Sequence, residues 1–181
     1  MVSLMLRKIL GTIVLLIAIP LIAALFTKQD YEVITSVTID KPVTEVFDYI
    51  KYLKNQDNYS VWAKLDPNMT KSFRGVDANV GFVSAWESAN EEVGVGEQEI
   101  ISIEQGKRID YELRFISPFE AVSPAFMSCE PITEKTTKVT WGFKGHMDYP
   151  MNLMLVFMDF ETMIERDLSQ GLASLKEIME K

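Results

Sequence analysis

Catalysis by this 181-residue chain would have to be assembled from few reactive groups. Cys129 is the only cysteine and His146 the only histidine. That excludes an intrachain disulfide framework, a multi-cysteine zinc or iron–sulfur site and any two-histidine metal motif. His146 ends the stretch Thr136–His146 in step with Lys138 and Lys144, so period-two alternation puts it on a polar strand face. A general base needs a pocket and an orienting carboxylate, and the sequence shows neither beside His146. Serine, threonine and cysteine nucleophiles lack a base for the same reason.

Carboxylates are more plentiful. Asp159, Glu161, Glu165 and Asp167 crowd one stretch, and paired carboxylates can act as acid and base. Glu161 and Glu165, however, are i,i+4 neighbours with Arg166 beside them, the pattern of a solvated helix face. Asp159, next to Phe160, is placed to reach a cavity mouth. Glu97, Gln98 and Glu99 are consecutive on a strand, so alternation sends at least one inward. Gln98 shares parity with Ile100, whereas Glu97 and Glu99 share it with Ile101 and Ile103, which leaves the choice open. Gln98, Glu99 and Glu87 are therefore the candidates for a polar group that orients a ligand. Gly94-Val95-Gly96 lacks the Lys-Ser/Thr and the following helix of a phosphate loop.

The elements that must position these groups are legible from periodicity. Tyr31–Asp40 alternates with Val33, Thr35, Val37 and Ile39 on one side, a strand. Asp40 and Pro42 open a helix by cap and first-turn preference, and Val43, Val46, Phe47, Ile50 and Leu53 give it one buried stripe. A short helical turn or loop is expected at Tyr59–Trp62. Strands follow at Met69–Arg74, Gly81–Glu87, Glu97–Ile103, Arg108–Phe115, Phe119–Glu130 and Thr136–His146, with Pro124 marking an edge or bulge. Pro150–Lys181 reads as one long helix, apolar at Leu153, Phe157, Phe160, Ile164, Leu168, Leu172, Leu175 and Ile178. Its first turns, with Met151, Met154 and Met158, are apolar on nearly every side. Such a helix end suits a cavity lid, a membrane contact or burial under the loop Ser117–Pro124.

Strand, helix, six strands and a terminal helix make an antiparallel α+β domain. One helix cannot cover a curved sheet of that size, so side chains or a cavity must fill the remainder. The large aromatics on the inferred inner faces, Trp62, Trp86, Tyr111, Phe115, Trp141 and Phe143, serve equally as core filler or as pocket lining.

Composition separates two regions. Ile9–Phe26 is 18 residues without a charge, about 27 Å as a helix and close to the thickness of a bilayer core. A transmembrane anchor, a cleaved signal peptide ending near Ala23–Ala24 and a buried soluble helix compete for it. The length exceeds a usual secretory h-region, and no polar face is present for a soluble helix, so the anchor leads. Arg7 and Lys8 precede the span, which places the N-terminus in the cytoplasm and the rest of the chain outside. Net charge is −8 overall. Residues 1–28 contain three bases (Arg7, Lys8, Lys28) and no acid, leaving 15 bases against 26 acids, a net −11, on residues 29–181. A domain so acidic is no nucleic-acid reader.

The residues themselves also carry a likeness. The opening ITSVTIDKPVTEVFDYI, Trp62, VGFVSAWES, GVGEQEIISIEQGKRIDYELRF, TKVTWGFKG and the closing DLSQGLASLKEIMEK occur in an order that resembles the START-like (SRPBCC) superfamily, in its polyketide cyclase/dehydrase and lipid-transport branch. The resemblance implies a helix-grip fold over residues 29–181: about seven antiparallel strands curved around the C-terminal helix, with an apolar cavity between them. It implies a hydrophobic small molecule or lipid as ligand, and the inner faces and apolar helix start read above make Trp86, Gln98, Tyr111, Leu113, Phe115, Trp141, Phe143, Met154 and Phe157 the residues expected to line its site. Neither a cofactor nor a metal is implied. Because the superfamily contains carriers, cyclases and chaperone co-activators, a non-enzymatic binding domain tethered through residues 9–26, a cyclase/dehydratase and a protein-binding module all remain open.

Overall fold

A computed structural model describes the backbone from Val2 to Lys181 and the side chains from Met5 onward. Seven strands form one antiparallel sheet: β1 Asp30–Ile39, β2 Thr70–Arg74, β3 Val83–Glu87, β4 Val95–Glu104, β5 Arg108–Ser117, β6 Ala121–Thr133 and β7 Thr136–His146, in the order β1-β7-β6-β5-β4-β3-β2. Alternation carries directly into register. Ile109, Tyr111, Leu113 and Phe115 of β5 pair with Met127, Ala125, Ser123 and Ala121 of β6. Trp141 and Val139 of β7 pair in turn with Met127 and Cys129, and partners in an antiparallel pair share one face. That shared inner face is the core side.

Helices precede the strands, separate β1 from β2 and follow β7. The first, α1 (Val2–Ala24), precedes β1, and no side chain from Met5 to Ala23 is buried. Val43–Ile50 forms α2, which buries Val46, Phe47 and Ile50 as its spacing requires. Pro42 holds the cap position without a side-chain hydrogen bond. Asp40 is thus no cap; its backbone N–H donates instead to Glu180 Oε1 at 2.7 Å. Leu53–Asn58 is a 3₁₀ turn, and Val61–Leu65 a short α3.

Beyond β7 the expected single helix is broken. A 3₁₀ turn at Met151–Leu153 leads into α4 (Met154–Phe157), Met158 is extended, and α5 runs Phe160–Met179. Asp159 starts α5: its Oδ1 accepts from the Thr162 N–H at 3.1 Å and its Oδ2 from the Thr162 hydroxyl at 2.7 Å. This is ordinary N-capping, and it consumes the carboxylate that the sequence placed near a cavity mouth. The apolar run 151–158 has no polar face to mark the break, so periodicity passes over it.

The long helix α5 buries Leu168, Gly171, Leu172 and Leu175. Its packing is concentrated on β1, with a smaller contact on β7. Thr35 and Ser169 hydroxyls meet at 2.8 Å, and Lys176 Nζ donates to Thr38 O at 2.6 Å. Gly171 allows the approach, since a Cβ there would lie 2.9 Å from Trp141 Cζ3. Pro124, although on an inner strand, pairs only with β5, because β7 joins β6 from Ala125 onward. The missing N–H therefore falls at a local edge.

Candidate functional site

Because α5 packs over β1 and β7, the inner face of β3, β4, β5 and the start of β6 is left less covered. Register builds two rows there. One is Ser84, Gln98, Leu113 and Ser123; the other is Trp86, Gly96, Phe115 and Ala121. Trp86 lies across Gly96, where a Cβ would meet its ring at 2.6 Å. It is fixed by donation from Nε1 to Val93 O at 3.1 Å and by an edge contact with Phe115 at 6.2 Å between centroids. Leu113, Phe115, Phe143 and Trp86 remain half-buried. Gln98 is 8% exposed and Ser123 is buried as well. Neither side chain takes part in the protein's own hydrogen bonds among the described residues; their polar atoms keep a little contact with solvent, unlike Gln56 Nε2 and Asn152 Oδ1, which are buried without a partner.

The parity left open by the sequence is decided by β5. Glu97 and Glu99 sit opposite Arg114 and Glu112, and Gln98 opposite Leu113. Both glutamates thus face outward, where Arg114 bridges Glu97 and Glu99 at 2.7 Å each and also contacts Glu112. Arg74 reaches Glu97 at 2.7 Å, and this bond, ahead of that from Arg114, holds the Glu97 carboxyl below the usual range. Glu87 is exposed and, paired with Val95 rather than Gly96, belongs to the same outer side. Of the polar candidates, only Gln98 enters.

The other candidates divide. Trp141 is buried, packed edge-on against Tyr59 at 5.7 Å and under Gly171. Tyr111 is also buried, and burial above all pushes its phenol well above the ordinary range, so it stays a neutral hydroxyl. Phe143 stacks obliquely near Tyr31 at 6.3 Å. Met154 is half-buried and Phe157 is 80% exposed, both on α4 rather than on the sheet. Ser84 and Ser123 belong to no motif that marks them in the sequence. Ser123 keeps step with Ala125, Met127 and Cys129, a parity that marks it as inward. His146 does have partners: β1–β7 register sets Asp30 opposite it, with Nδ1 2.6 Å from Asp30 Oδ1 and Nε2 3.3 Å from Asp148 Oδ1. Exposed at the strand end, this trio clamps β1 to β7 and lies away from the inner rows.

Two hollows flank this end of the sheet, and both open to the surface. One of about 410 Å³ is lined by Arg114, Phe115, Ile116, Glu120, Ala121 and Val122 at the rim of the Trp86–Phe115 row. The second, of about 290 Å³, is lined by Lys28 and residues 155–161. Phe160, at its edge, is 6.5 Å from Tyr31. The Met-rich segment begins against α1, which the 3₁₀ turn at Met151–Leu153 contacts, and its Met151, Val156, Phe157 and Met158 are exposed.

Residues 31–180 match the family described as Polyketide cyclase / dehydrase and lipid transport. No curated protein sequence matches the chain. Solved structures share its fold at low identity. A protein from Nitrosospira multiformis is 20% identical, with a TM-score of 0.57, over 82% of this chain and 96% of its own. Norcoclaurine synthase from Thalictrum flavum, solved with dopamine and hydroxybenzaldehyde, is 10% identical with a TM-score of 0.61, over 87% and 90%. The di-domain ARO/CYC StfQ from the steffimycin biosynthetic pathway is 7% identical with a TM-score of 0.63, over 84% of this chain and 51% of that one. At such identities the likeness establishes the helix-grip fold alone.

Proposed function

We propose, for a chain that belongs to the polyketide cyclase / dehydrase and lipid transport family, that it binds a hydrophobic small molecule or lipid on the uncovered inner face of its sheet, as a non-enzymatic domain tethered by α1. One observation carries this reading. Gln98, 8% exposed as a residue, turns an amide that makes no internal hydrogen bond and keeps a little solvent contact onto rows otherwise made of Trp86, Leu113, Phe115, a glycine, an alanine and two serines. A mostly apolar surface with a few convergent hydrogen-bonding groups is the usual make-up of a ligand site. Phe115 and Trp86 would hold the apolar body, and Gln98 with Ser84 and Ser123 its polar end. Phe143, Met154 and Phe157 belong to the approach from the α4 side, while Tyr111 and Trp141 form its floor.

The carboxylates of these strands, Glu97, Glu99 and Glu112, share the opposite face. Inward groups are thus neutral hydrogen-bonders, which favours holding a ligand over acid–base turnover. For the tether, Met5–Ala24 is long and apolar enough to cross a bilayer. Asn152, fully buried, donates to Ala24 O at 2.8 Å and Thr27 O at 3.0 Å. Those bonds build residues 24–27 into the fold and support retention of the segment over cleavage.

Native mass spectrometry of the full chain, delipidated in detergent and offered a fatty acid, a sterol and a polycyclic aromatic, tests the binding. A one-to-one adduct with at least one class is expected, and Leu113→Trp, which fills the inner face, should abolish it while circular dichroism stays unchanged. Absence of any adduct would remove the proposal.

A further inference from the structure

The apolar segment that follows β7 is fastened to the end of α1, and the fastening fixes where it sits. Asn152 Nδ2 donates to the carbonyl of Ala24, the last residue of α1, and to that of Thr27 in the turn that follows. Lys28 Nζ reaches Glu161 Oε1 at 2.5 Å, and Met147 N–H donates to Gln29 O at 2.9 Å. Ala24 is buried, in contrast to every other side chain from Met5 to Phe26. Three links thus bind residues 147–161 to the C-terminal end of α1.

The two segments held at this joint carry large apolar side chains that touch water. Phe26 is 86% exposed and Phe157 80%, with Leu25, Met151, Val156 and Met158 exposed around them. Exposed large apolar side chains gathered on two joined segments, 25–26 and 151–158, mark an interaction site. Twenty residues of helix rise about 30 Å, which matches the hydrocarbon thickness. If α1 spans, its C-terminal end lies at the headgroup boundary, and whatever is bolted to that end lies there too. Phe26 and Phe157 then stand at the depth where aromatic and aliphatic side chains of interfacial segments insert.

From this we infer that Phe26, Met151, Val156, Phe157 and Met158 form an interfacial foot that dips into the same leaflet in which α1 ends, its occupant being bilayer lipid. The inference rests on the reading of α1 as a retained anchor. The net −11 of residues 29–181 makes a zwitterionic leaflet the fitting partner, since an anionic one repels the domain. Insertion turns the hollow of Lys28 and residues 155–161 toward lipid. Phe160, Tyr31 and Phe143 continue from it, at 6.5 and 6.3 Å between rings, onto the inner face of the sheet. The ligand would then enter from the membrane.

Single cysteines read the geometry directly. Cys129 is buried and its thiol is pushed up to about 12 by burial, so an introduced cysteine is labelled selectively. Full chain carrying Phe157→Cys, Leu16→Cys or Glu134→Cys is labelled with an environment-sensitive fluorophore and reconstituted in phosphatidylcholine vesicles containing nitroxide lipids. Glu134 lies at the far end of β7 from His146. The label at position 157 should be quenched at least about twofold more than that at 134, most strongly by shallow nitroxides, as insertion at the headgroup boundary requires. Quenching at 16 with none at 157 would overturn the foot while leaving the anchor standing. Excimer emission from pyrene at 157 in that case would give the surface to a second copy. No quenching at either 16 or 157 would overturn the anchor, and the foot with it.

Discussion

Replacing Gln98 with methionine should make the ligand-free protein more stable and the complex weaker. Gln98 is 8% exposed as a residue on an apolar face, and its amide makes no internal hydrogen bond while keeping a little solvent contact. An unsatisfied buried polar group costs about 1–3 kcal/mol, and methionine keeps the volume, which limits repacking losses to about 1.5 kcal/mol or less. The sliver of exposure lets water reach the amide, so the net gain should fall near 1 kcal/mol, or about 2–4 °C in melting temperature for a domain of this size. A ligand that hydrogen-bonds to the amide would lose about 0.5–1.5 kcal/mol of binding, raising its dissociation constant by roughly 2–10-fold. The assay is thermal unfolding of the full chain in detergent, followed by the fluorescence of Trp62, Trp86 and Trp141 with and without ligand. A melting temperature that falls by several degrees in the ligand-free variant would refute the reasoning, because it would mean that the amide supports the fold.

Two further outcomes follow from the packing and the charges. Gly171→Leu should lower the urea midpoint by an amount equivalent to about 1–3 kcal/mol, since its Cβ would start 2.9 Å from Trp141 Cζ3 and overpacking outweighs the better helix propensity; an unchanged midpoint would show that α5 can shift. His146, hydrogen-bonded first to Asp30 and then to Asp148, has its pKa raised. Because the folded value lies above the unfolded one, the clamp contributes fully below about pH 6.5 and fades as pH rises through the folded value. A proton NMR titration of this sole histidine should give a midpoint above about 6.5 that Asp30→Asn brings down; equal midpoints would contradict the pairing.

Local pattern determined a good part of this molecule. The alternation of Ile109, Tyr111, Leu113 and Phe115, and of Thr137, Val139, Trp141 and Phe143, decides that they share an inner face, because side-chain direction in a strand depends only on the residue's own position. The charge-free run Ile9–Phe26 and the acidic remainder are likewise sequence properties. What a residue meets after folding is not. Glu97, Gln98 and Glu99 have nearly equal claims until β5 sets Leu113 opposite the glutamine and Arg114 opposite a glutamate. His146 lacks a visible partner until β1, more than a hundred residues earlier in the chain, brings Asp30 to 2.6 Å. Asp159 reads as a free carboxylate until the helix breaks at Met158 and makes it a cap. Asn152 is an unremarkable polar residue until α1 presents its terminal carbonyls. Periodicity resides in neighbours along the chain, whereas register, cover and partners are settled between distant segments, and only the tertiary structure joins those.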